Sequence, residues 1–221
     1  MATQGERREE SLQRIKLAAL KLFATEGYIE TTLDDIAREA GLSKGGVRHY
    51  FTRKRDLAIE LYDIGHRELA AQEWNILVQG DGTRDRVFRF VEHFLKWVEN
   101  SPYTTRFLFG LEITKVTDDG RPPRLELGPG NVLERLIRDG QMAGEVRDGS
   151  PEILLKSFDI VRQHALEWAA GWLDGPLDKR SKEITELVWR AIRSDAVALR
   201  EMNGEQIGLP RCAEKEVMAA D

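Results

Sequence analysis

The densest cluster of positive charge lies between Ser43 and Arg55, a segment that contains no acidic residue. The cationic side chains in it are Lys44, Arg48, Arg53, Lys54 and Arg55. The last three fall where a fourth helix, capped by Thr52, is predicted to begin, although the helix dipole disfavours cations at that end. Cations placed there indicate an external anion, and phosphate fits because the free amides of a helix N-terminus also bind it. A solvated charged face is the alternative interpretation.

Two glycines lie inside the same cluster. Ser43 is predicted to cap a third helix of about two turns that begins with Lys44-Gly45-Gly46. Glycine weakens a helix, but it lets another backbone approach closely. This combination favours a surface that contacts a nucleic acid.

A second short helix, over residues 33–40, precedes this segment. Thr32 is predicted to cap it, with Asp35 where a capping box usually has Glu or Gln. Gly41 suits the left-handed conformation of the turn that follows. The small core predicted for the two helices consists of Leu33, Ile36, Ala37, Ala40, Leu42, Val47 and Phe51. The pattern predicts a helix-turn-helix unit, with an ordinary αα corner as the alternative.

Composition sets limits on the whole chain. Its 221 residues, 41% hydrophobic and 32% charged, are enough to bury a core under a solvated surface. The net charge of −5 disfavours a protein that coats DNA with its entire surface. The single cysteine, Cys212, excludes an intramolecular disulfide and a multi-cysteine zinc site. No apolar run approaches a membrane span and no export signal is visible, so a soluble cytoplasmic protein is expected.

Helical periodicity recurs along the chain, which predicts an all-α fold. The predicted domains are a helix-turn-helix DNA-binding domain over 9–55, a larger helical effector-binding and dimerisation domain over 56–200, and a loose tail over 201–221. Helices besides those near the turn are predicted over 9–26, 84–99, 131–139, 151–173 and 181–200, with another after Pro102 and a turn-rich segment over 140–149. The 84–99 segment has only a narrow polar stripe, typical of a central, largely enclosed helix.

Motifs of common enzyme classes are missing from the sequence. It has no zinc-protease motif, phosphate-binding glycine loop or cysteine–histidine signature. We therefore expect no catalytic residues, no metal site and no cofactor. An enzyme that uses a pocket in the C-terminal helices is kept as a less favoured alternative.

The segment from Thr31 to Phe51, TTLDDIAREAGLSKGGVRHYF, resembles the TetR family of bacterial transcriptional regulators. The cap, the turn glycine, the core positions and the His-Tyr-Phe ending coincide in register. Lys54 and Leu57 beyond it also fit. The resemblance covers roughly residues 11–60. It implies a homodimeric repressor that a small apolar or aromatic ligand releases from a palindromic operator.

Carried over residue by residue, the resemblance implies phosphate contacts for Lys44, Tyr50 and Lys54. Arg48 is the favoured residue for reading a base, since a guanidinium can bond guanine in two places, with one more phosphate contact as the alternative. The full predicted DNA-binding set is Thr32, Ser43, Lys44, Gly45, Gly46, Arg48, His49, Tyr50, Thr52, Arg53 and Lys54. Gly46 and Arg55 depart from the family pattern, where a larger or hydroxyl residue and an acidic residue are usual.

Two further partners are expected. The helices over 151–173 and 181–200 are predicted to form a four-helix interface with a second copy, the alternative being packing within one chain. The resemblance also implies a small-molecule effector pocket in the second domain. The residues predicted to line it are Phe94, Trp97, Phe107, Leu111, His164 and Trp168. An αα module that binds another protein is the alternative function.

Overall fold

The computed structural model describes residues 3–78, 81–110, 116 and 129–203. These residues form an all-α fold, as predicted, with one isolated bridge between Val146 and Arg193. A one-turn 3-10 helix, Leu155–Phe158, lies between the eighth and ninth α-helices. In chain order the α-helices are α1 (Gln4–Thr25), α2 (Leu33–Ala40), α3 (Lys44–Tyr50), α4 (Lys54–Val78), α5 (Thr83–Asn100), α6 (Pro102–Gly110), α7 (Pro129–Met142), α8 (Pro151–Leu154), α9 (Asp159–Ala169), α10 (Asp178–Ile192) and α11 (Asp195–Met202).

The predicted helix-turn-helix unit is confirmed in α2 and α3. Thr32 and Asp35 form the capping box, and hydrogen bonds from the Thr32 hydroxyl and amide lower the pKa of Asp35. Gly41 ends α2 in the left-handed conformation, with φ 63° and ψ 36°. The predicted core residues are buried or pack against the core: Leu33, Ile36, Ala37, Ala40, Leu42, Val47 and Phe51.

Helix α4 joins this unit to the rest of the molecule. It begins at Lys54, so Arg53 rather than the predicted cap Thr52 directly precedes it. Lys16 of α1 pairs with Glu60 of α4 at 2.8 Å, and the remainder of α4 packs on α5, α6 and α7. The predicted division between residues 55 and 56 therefore falls inside the first turn of α4. Whether the two domains are independent units stays a prediction.

The predicted enclosed helix is α5, which packs against α4, α6, α7, α9 and α10. Its buried side chains include Val87, Phe90, Val91, Phe94, Leu95, Trp97 and Val98. Arg89, Glu92 and Lys96 of its polar stripe are exposed, whereas His93 is half-buried. The narrow stripe in the sequence thus predicted the central position correctly.

The prediction of one helix over 151–173 is wrong. The chain forms α8, the 3-10 turn and α9, and α9 already ends at Ala169. Inside the 3-10 turn, the Ser157 hydroxyl donates to the Leu154 carbonyl at 2.7 Å. After α9, Gly171 takes a φ of 76°, which a continuing helix could not accommodate.

The prediction of one helix over 181–200 is also wrong. Arg193 is extended, with ψ 149°, and the Ser194 hydroxyl accepts a hydrogen bond from the Val197 amide, which starts α11. The Arg147 amide donates to the Ile192 carbonyl at 2.9 Å, so the break meets the loop after α7. Helix α11 continues to Met202, inside the predicted tail, and residues 204–221 lie outside the described residues.

Two other helices are longer than predicted. Helix α1 begins at Gln4 because Thr3 and Glu6 form a capping box. Helix α7 runs past Gly140 to Met142, so the first residues of the predicted turn-rich segment are helical. A Cβ on Gly140 would lie 2.5 Å from Val146 and 2.8 Å from Thr83. This glycine therefore serves close packing inside the helix.

Candidate nucleic-acid interface

Helix α3 is fixed from beneath and open on its outer side. The Ser43 hydroxyl accepts a hydrogen bond from the Gly46 amide at 3.0 Å, which confirms the predicted cap. Val47 is completely buried against the core, while Lys44, Arg48 and His49 are exposed. One apolar side chain thus anchors the helix and leaves a polar face for a partner.

The two glycines of α3 differ in their surroundings. A Cβ built on Gly45 would have no atom within 4 Å, so packing within the described residues does not require glycine there. A Cβ on Gly46 would lie 3.2 Å from the capping Ser43 hydroxyl. Gly45 is therefore the position whose missing side chain leaves room for an external molecule.

Two of the exposed cations form ion pairs that a phosphate could replace. Lys44 bonds Asp34 of α2, and Arg53 makes two hydrogen bonds to Asp56, at 2.9 and 3.0 Å. The Lys44 and Arg53 side chains remain 70% and 64% exposed, and ion pairs in such positions contribute little stability. Arg48 is exposed, and no described residue bonds its guanidinium. Exchange of these partners for phosphate would cost little.

Lys54 is placed differently from the other cations. Its ammonium donates to the backbone carbonyls of Tyr28, Ile29 and Thr31, the last two at 3.2 and 2.6 Å. It also lies 4.3 Å from the centre of the Tyr28 ring, and burial lowers its pKa. Because an ammonium has three donors, the loop before α2 occupies all of them.

The remaining predicted residues flank α3. The Tyr50 hydroxyl donates to the Arg8 carbonyl at 3.3 Å, and its ring lies edge-on to His49 at 5.4 Å. The Thr32 hydroxyl is engaged in the capping box, 2.6 Å from Asp35. Thr52 is exposed just beyond the end of α3. The structure thus brings the exposed predicted residues other than Thr32 together on α3, its cap and the following turn.

Arg14 is a positioning residue that the sequence patterns did not indicate. From α1 it donates to the carbonyl of Gly41 at 3.2 Å and to that of Ala40, at the turn between α2 and α3. Nearby, Lys21 of α1 pairs with Glu39 of α2 at 2.6 Å. A surface arginine on an amphipathic helix carries no signal of such a long-range contact. Its role follows only from the tertiary arrangement.

The described residues among those predicted to line an effector pocket lie on α5, α6 and α9. Phe94, Trp97 and Phe107 are buried, and the Phe94 ring lies 6.3 Å from that of Trp97. His164 and Trp168 are half-buried on α9, where the Trp168 indole donates to the Gly175 carbonyl at 2.7 Å. Leu111 lies outside the described residues. Pocket-lining roles for this set stay predictions.

A different histidine, His66 of α4, has the most unusual environment. It is only 8% exposed, its ring lies 4.3 Å from that of Tyr62, and it faces Phe109 of α6. Within the described part of the chain, neither ring nitrogen has a hydrogen-bond partner. Burial lowers its pKa to about 4, with the nearby Asp63 opposing the shift. A lone histidine in a helix that mixes charged and apolar residues gave no sequence signal for this position.

Among the described residues, no three His, Cys, Asp or Glu side chains are grouped as metal ligands would be. The helices that the structure describes include none long and apolar enough to span a bilayer. In the N-terminal part of the described chain, the exposed face of α3 is therefore the candidate functional site.

Comparisons with known proteins agree with this geometry. The family model for bacterial regulatory proteins of the tetR family matches residues 15–61. The HTH-type transcriptional regulator AcrR of Shigella flexneri is 31% identical over 162 residues, which cover 72% of this chain and 66% of that protein.

This chain carries a TetR-family domain over residues 15–61.

It spans just under two thirds of that AcrR relative's length. A longer alignment is with the fatty acid metabolism regulator protein of Bacillus subtilis, 23% identical over 80% of this chain and 93% of that one. The crystal structure of FadR from Bacillus subtilis, in complex with stearoyl-CoA, has the same fold, with a TM-score of 0.68 and 17% identity over 82% of this chain and 99% of that one.

Proposed function

We propose that this chain is a homodimeric, cytoplasmic transcriptional regulator without catalytic activity. It binds double-stranded DNA through α3, as a repressor that a small apolar or aromatic ligand releases from a palindromic operator. The observation that carries this proposal is the outer face of α3. There, Lys44, Arg48 and Gly45 are exposed on a helix held by a single buried residue and a serine cap.

The part of the DNA that each side chain contacts follows from the chemistry of that side chain. Arg48, exposed and unbonded, suits a base edge in the major groove, while Lys44 and Arg53 suit phosphates. Ser43, Gly45, Gly46, His49 and Tyr50 complete the contact surface. Lys54 supports binding by holding the loop before α2 and not by a phosphate contact of its own.

A second copy is needed because one short helix reads few base pairs. Helices α9 and α10 lie side by side and expose apolar side chains, including Ile160 and the 54% exposed Leu187. We propose that these two helices form the dimer interface. Leu187→Arg should then give a monomer in analytical ultracentrifugation, whereas Met142→Arg, at the still more exposed end of α7, should remain a dimer.

The effector is proposed to bind between α4, α5 and α6, where His66 offers the polar contact. The stearoyl-CoA of the Bacillus subtilis FadR structure shows that this fold accommodates a ligand with a long apolar body. A neutral imidazole among aromatic rings suits a ligand that is largely apolar and carries one hydrogen-bonding group. Ligand binding would weaken operator binding by its differential affinity for two conformations.

The test is selection of bound fragments from random double-stranded DNA, followed by titration of the best fragment with variants. We expect a palindromic consensus with half-sites about one helical turn apart. Arg48→Ala should cost about 1–3 kcal/mol and relax specificity at one position. Lys44→Ala should weaken binding to all sequences and reduce the slope of log affinity against log salt by about 0.9.

The matched control is Arg38→Ala on the outer side of α2, whose side chain is 78% exposed and paired with Asp35. It removes a positive charge of the same kind outside α3 and should leave specificity unchanged. Selection that yields no preferred duplex, or two α3 variants that bind as tightly as the parent, would refute the DNA-binding proposal. A preferred protein partner with no preferred duplex would favour the interaction module.

A further inference from the structure

A groove of about 450 Å³ opens where α1, α6 and α9 meet. Its floor is aromatic: Phe23 and Phe107 are buried with stacked rings 5.7 Å apart, and Tyr28 lies 5.4 Å from Phe23. This volume lies within the range that small-molecule sites occupy. The groove is separate from the surroundings of His66, which does not line it.

The groove carries an excess of negative charge at its edges. Helix α1 ends at Thr25 and α9 ends at Ala169, so the negative ends of two helix dipoles lie beside it. The carboxylates of Glu26 and Glu167 are also at its edge. Among the described lining residues, Arg106 is the one cation, and it offsets only part of this charge.

Trp172 completes the lining in an unusual way. Its indole is 77% exposed, and it follows Gly171, whose φ of 76° turns the chain sharply after α9. Tryptophan is the side chain whose ring face attracts cations most strongly. An exposed tryptophan beside two carboxylates and an aromatic floor is therefore suited to a ligand that is both flat and positively charged.

We propose that this groove binds a planar aromatic monocation. The aromatic floor takes the ring system, Glu167 and the carbonyl ends of α1 and α9 attract the charge, and Trp172 covers the outer face. This site is distinct from the apolar effector pocket proposed above. Because it joins α1 to α6 and α9, an occupant would tie the DNA-binding helices to the second half of the molecule.

The probe for this site is the N-methylacridinium ion, titrated into the full-length protein and followed by calorimetry and tryptophan fluorescence. Neutral acridine and the acridine-9-carboxylate anion have nearly the same shape and differ in charge. At pH 8 and low salt, we expect the cation to bind at least about tenfold more tightly than acridine, and the anion more weakly than acridine.

Two variants locate the binding site. Glu167→Gln should weaken binding of the cation about fivefold or more and leave binding of neutral acridine nearly unchanged, because it removes charge without volume. Ala170→Leu should weaken binding of both, because it fills the groove. The control is Glu152→Gln, an exposed carboxylate on α8 outside the groove, which should leave both affinities unchanged.

Equal affinities for the three probes would overturn the proposal, as would cation binding that neither groove variant alters. Cation binding lost in His66→Phe but retained in Ala170→Leu would assign the cation to the interior and overturn it equally. Titration of the same protein preparations with the selected DNA fragment keeps the two proposals apart. Intact DNA binding without cation binding refutes the groove alone.

Discussion

The α1–α3 unit and the bundle around α5 bury their apolar surface in different ways. In the first, small residues such as Ala37 and Ala40 bring the helices close, and cationic side chains bond backbone carbonyls across the gaps. In the second, large rings fill the space, among them Phe90, Phe94 and Trp97. One polar group in that aromatic region, the imidazole of His66, has no hydrogen-bond partner among the described residues.

The difference matters because the two kinds of contact respond differently to displacement. Hydrogen bonds depend steeply on distance and angle, so the bonds that Arg14 and Lys54 donate to backbone carbonyls fix the orientation of α2 and α3. Contacts between apolar surfaces are not directional. The first region therefore presents a fixed surface, and we expect any rearrangement around the proposed ligand in the second.

The largest effect in a test of this difference is expected from Lys54→Met, which keeps the aliphatic stem of the side chain and removes all three hydrogen-bond donors. The carbonyls of Tyr28, Ile29 and Thr31 would lose their partner, and we expect a loss of about 3–4 kcal/mol in the free energy of unfolding. DNA affinity should fall with it, because the loop before α2 loosens. Urea denaturation and DNA titration measure the two effects.

The control is Arg53→Met, one residue earlier, which removes an exposed ion pair to Asp56. Its effect on the free energy of unfolding should stay within about 1 kcal/mol, as for other surface pairs. If Lys54→Met were as stable as Arg53→Met and lost only DNA affinity, Lys54 would be a phosphate contact, as the family resemblance implied. The two variants therefore separate positioning from binding.

The same contrast explains what the sequence could predict. In α2 and α3 the structure follows local signals: Thr32 and Ser43 cap, Gly41 turns, and apolar spacing marks the core. Such signals act within four or five residues and are legible in a single chain. The exposed predicted residues of the DNA-binding face consequently lie together as expected.

Predictions for the second half failed where distant residues decide the structure. The break at Arg193 and Ser194 meets the loop after α7, where the Ser194 amide donates to Glu145 and its hydroxyl to Gly144. No sequence pattern near residue 193 indicates a hydrogen-bond partner nearly 50 positions away. The hydrogen bonds of Arg14 and Lys54 and the environment of His66 could not be predicted for the same reason, since each depends on tertiary contacts.

A smaller effect is expected from the acid response of His66. Its pKa is about 4 in the folded protein and near 6.5 in the unfolded chain, so below pH 6.5 the unfolded chain binds the additional proton. Stability should therefore fall as the pH drops from 6.5 to 4, by up to about 3 kcal/mol from this residue. His66→Phe should remove this part of the pH dependence, as measured by urea denaturation at each pH.

At pH 7.5, His66→Phe should be as stable as the parent or more stable, since it replaces an unpaired buried polar group. It should also lose the response of DNA binding to effectors, because we propose that His66 is their polar contact. The control is Tyr62→Phe, which keeps a ring beside His66 and leaves the imidazole in place, and which should keep the parent's acid response. Identical pH curves for His66→Phe and the parent would show that the imidazole is solvated in solution.

The smallest change in the free energy of unfolding is expected at a glycine of α3, where stability and DNA affinity should change in opposite directions. Gly45→Ala adds a methyl group to open space within a helix and should raise the free energy of unfolding by about 0.5–1 kcal/mol. In the proposed complex the same methyl lies where the DNA backbone approaches, so DNA affinity should fall although the protein is more stable. Gly46→Ala, whose Cβ would crowd Ser43 at 3.2 Å, should gain less stability. A Gly45→Ala variant that is more stable and binds DNA unchanged would show that this glycine does not lie in the DNA interface.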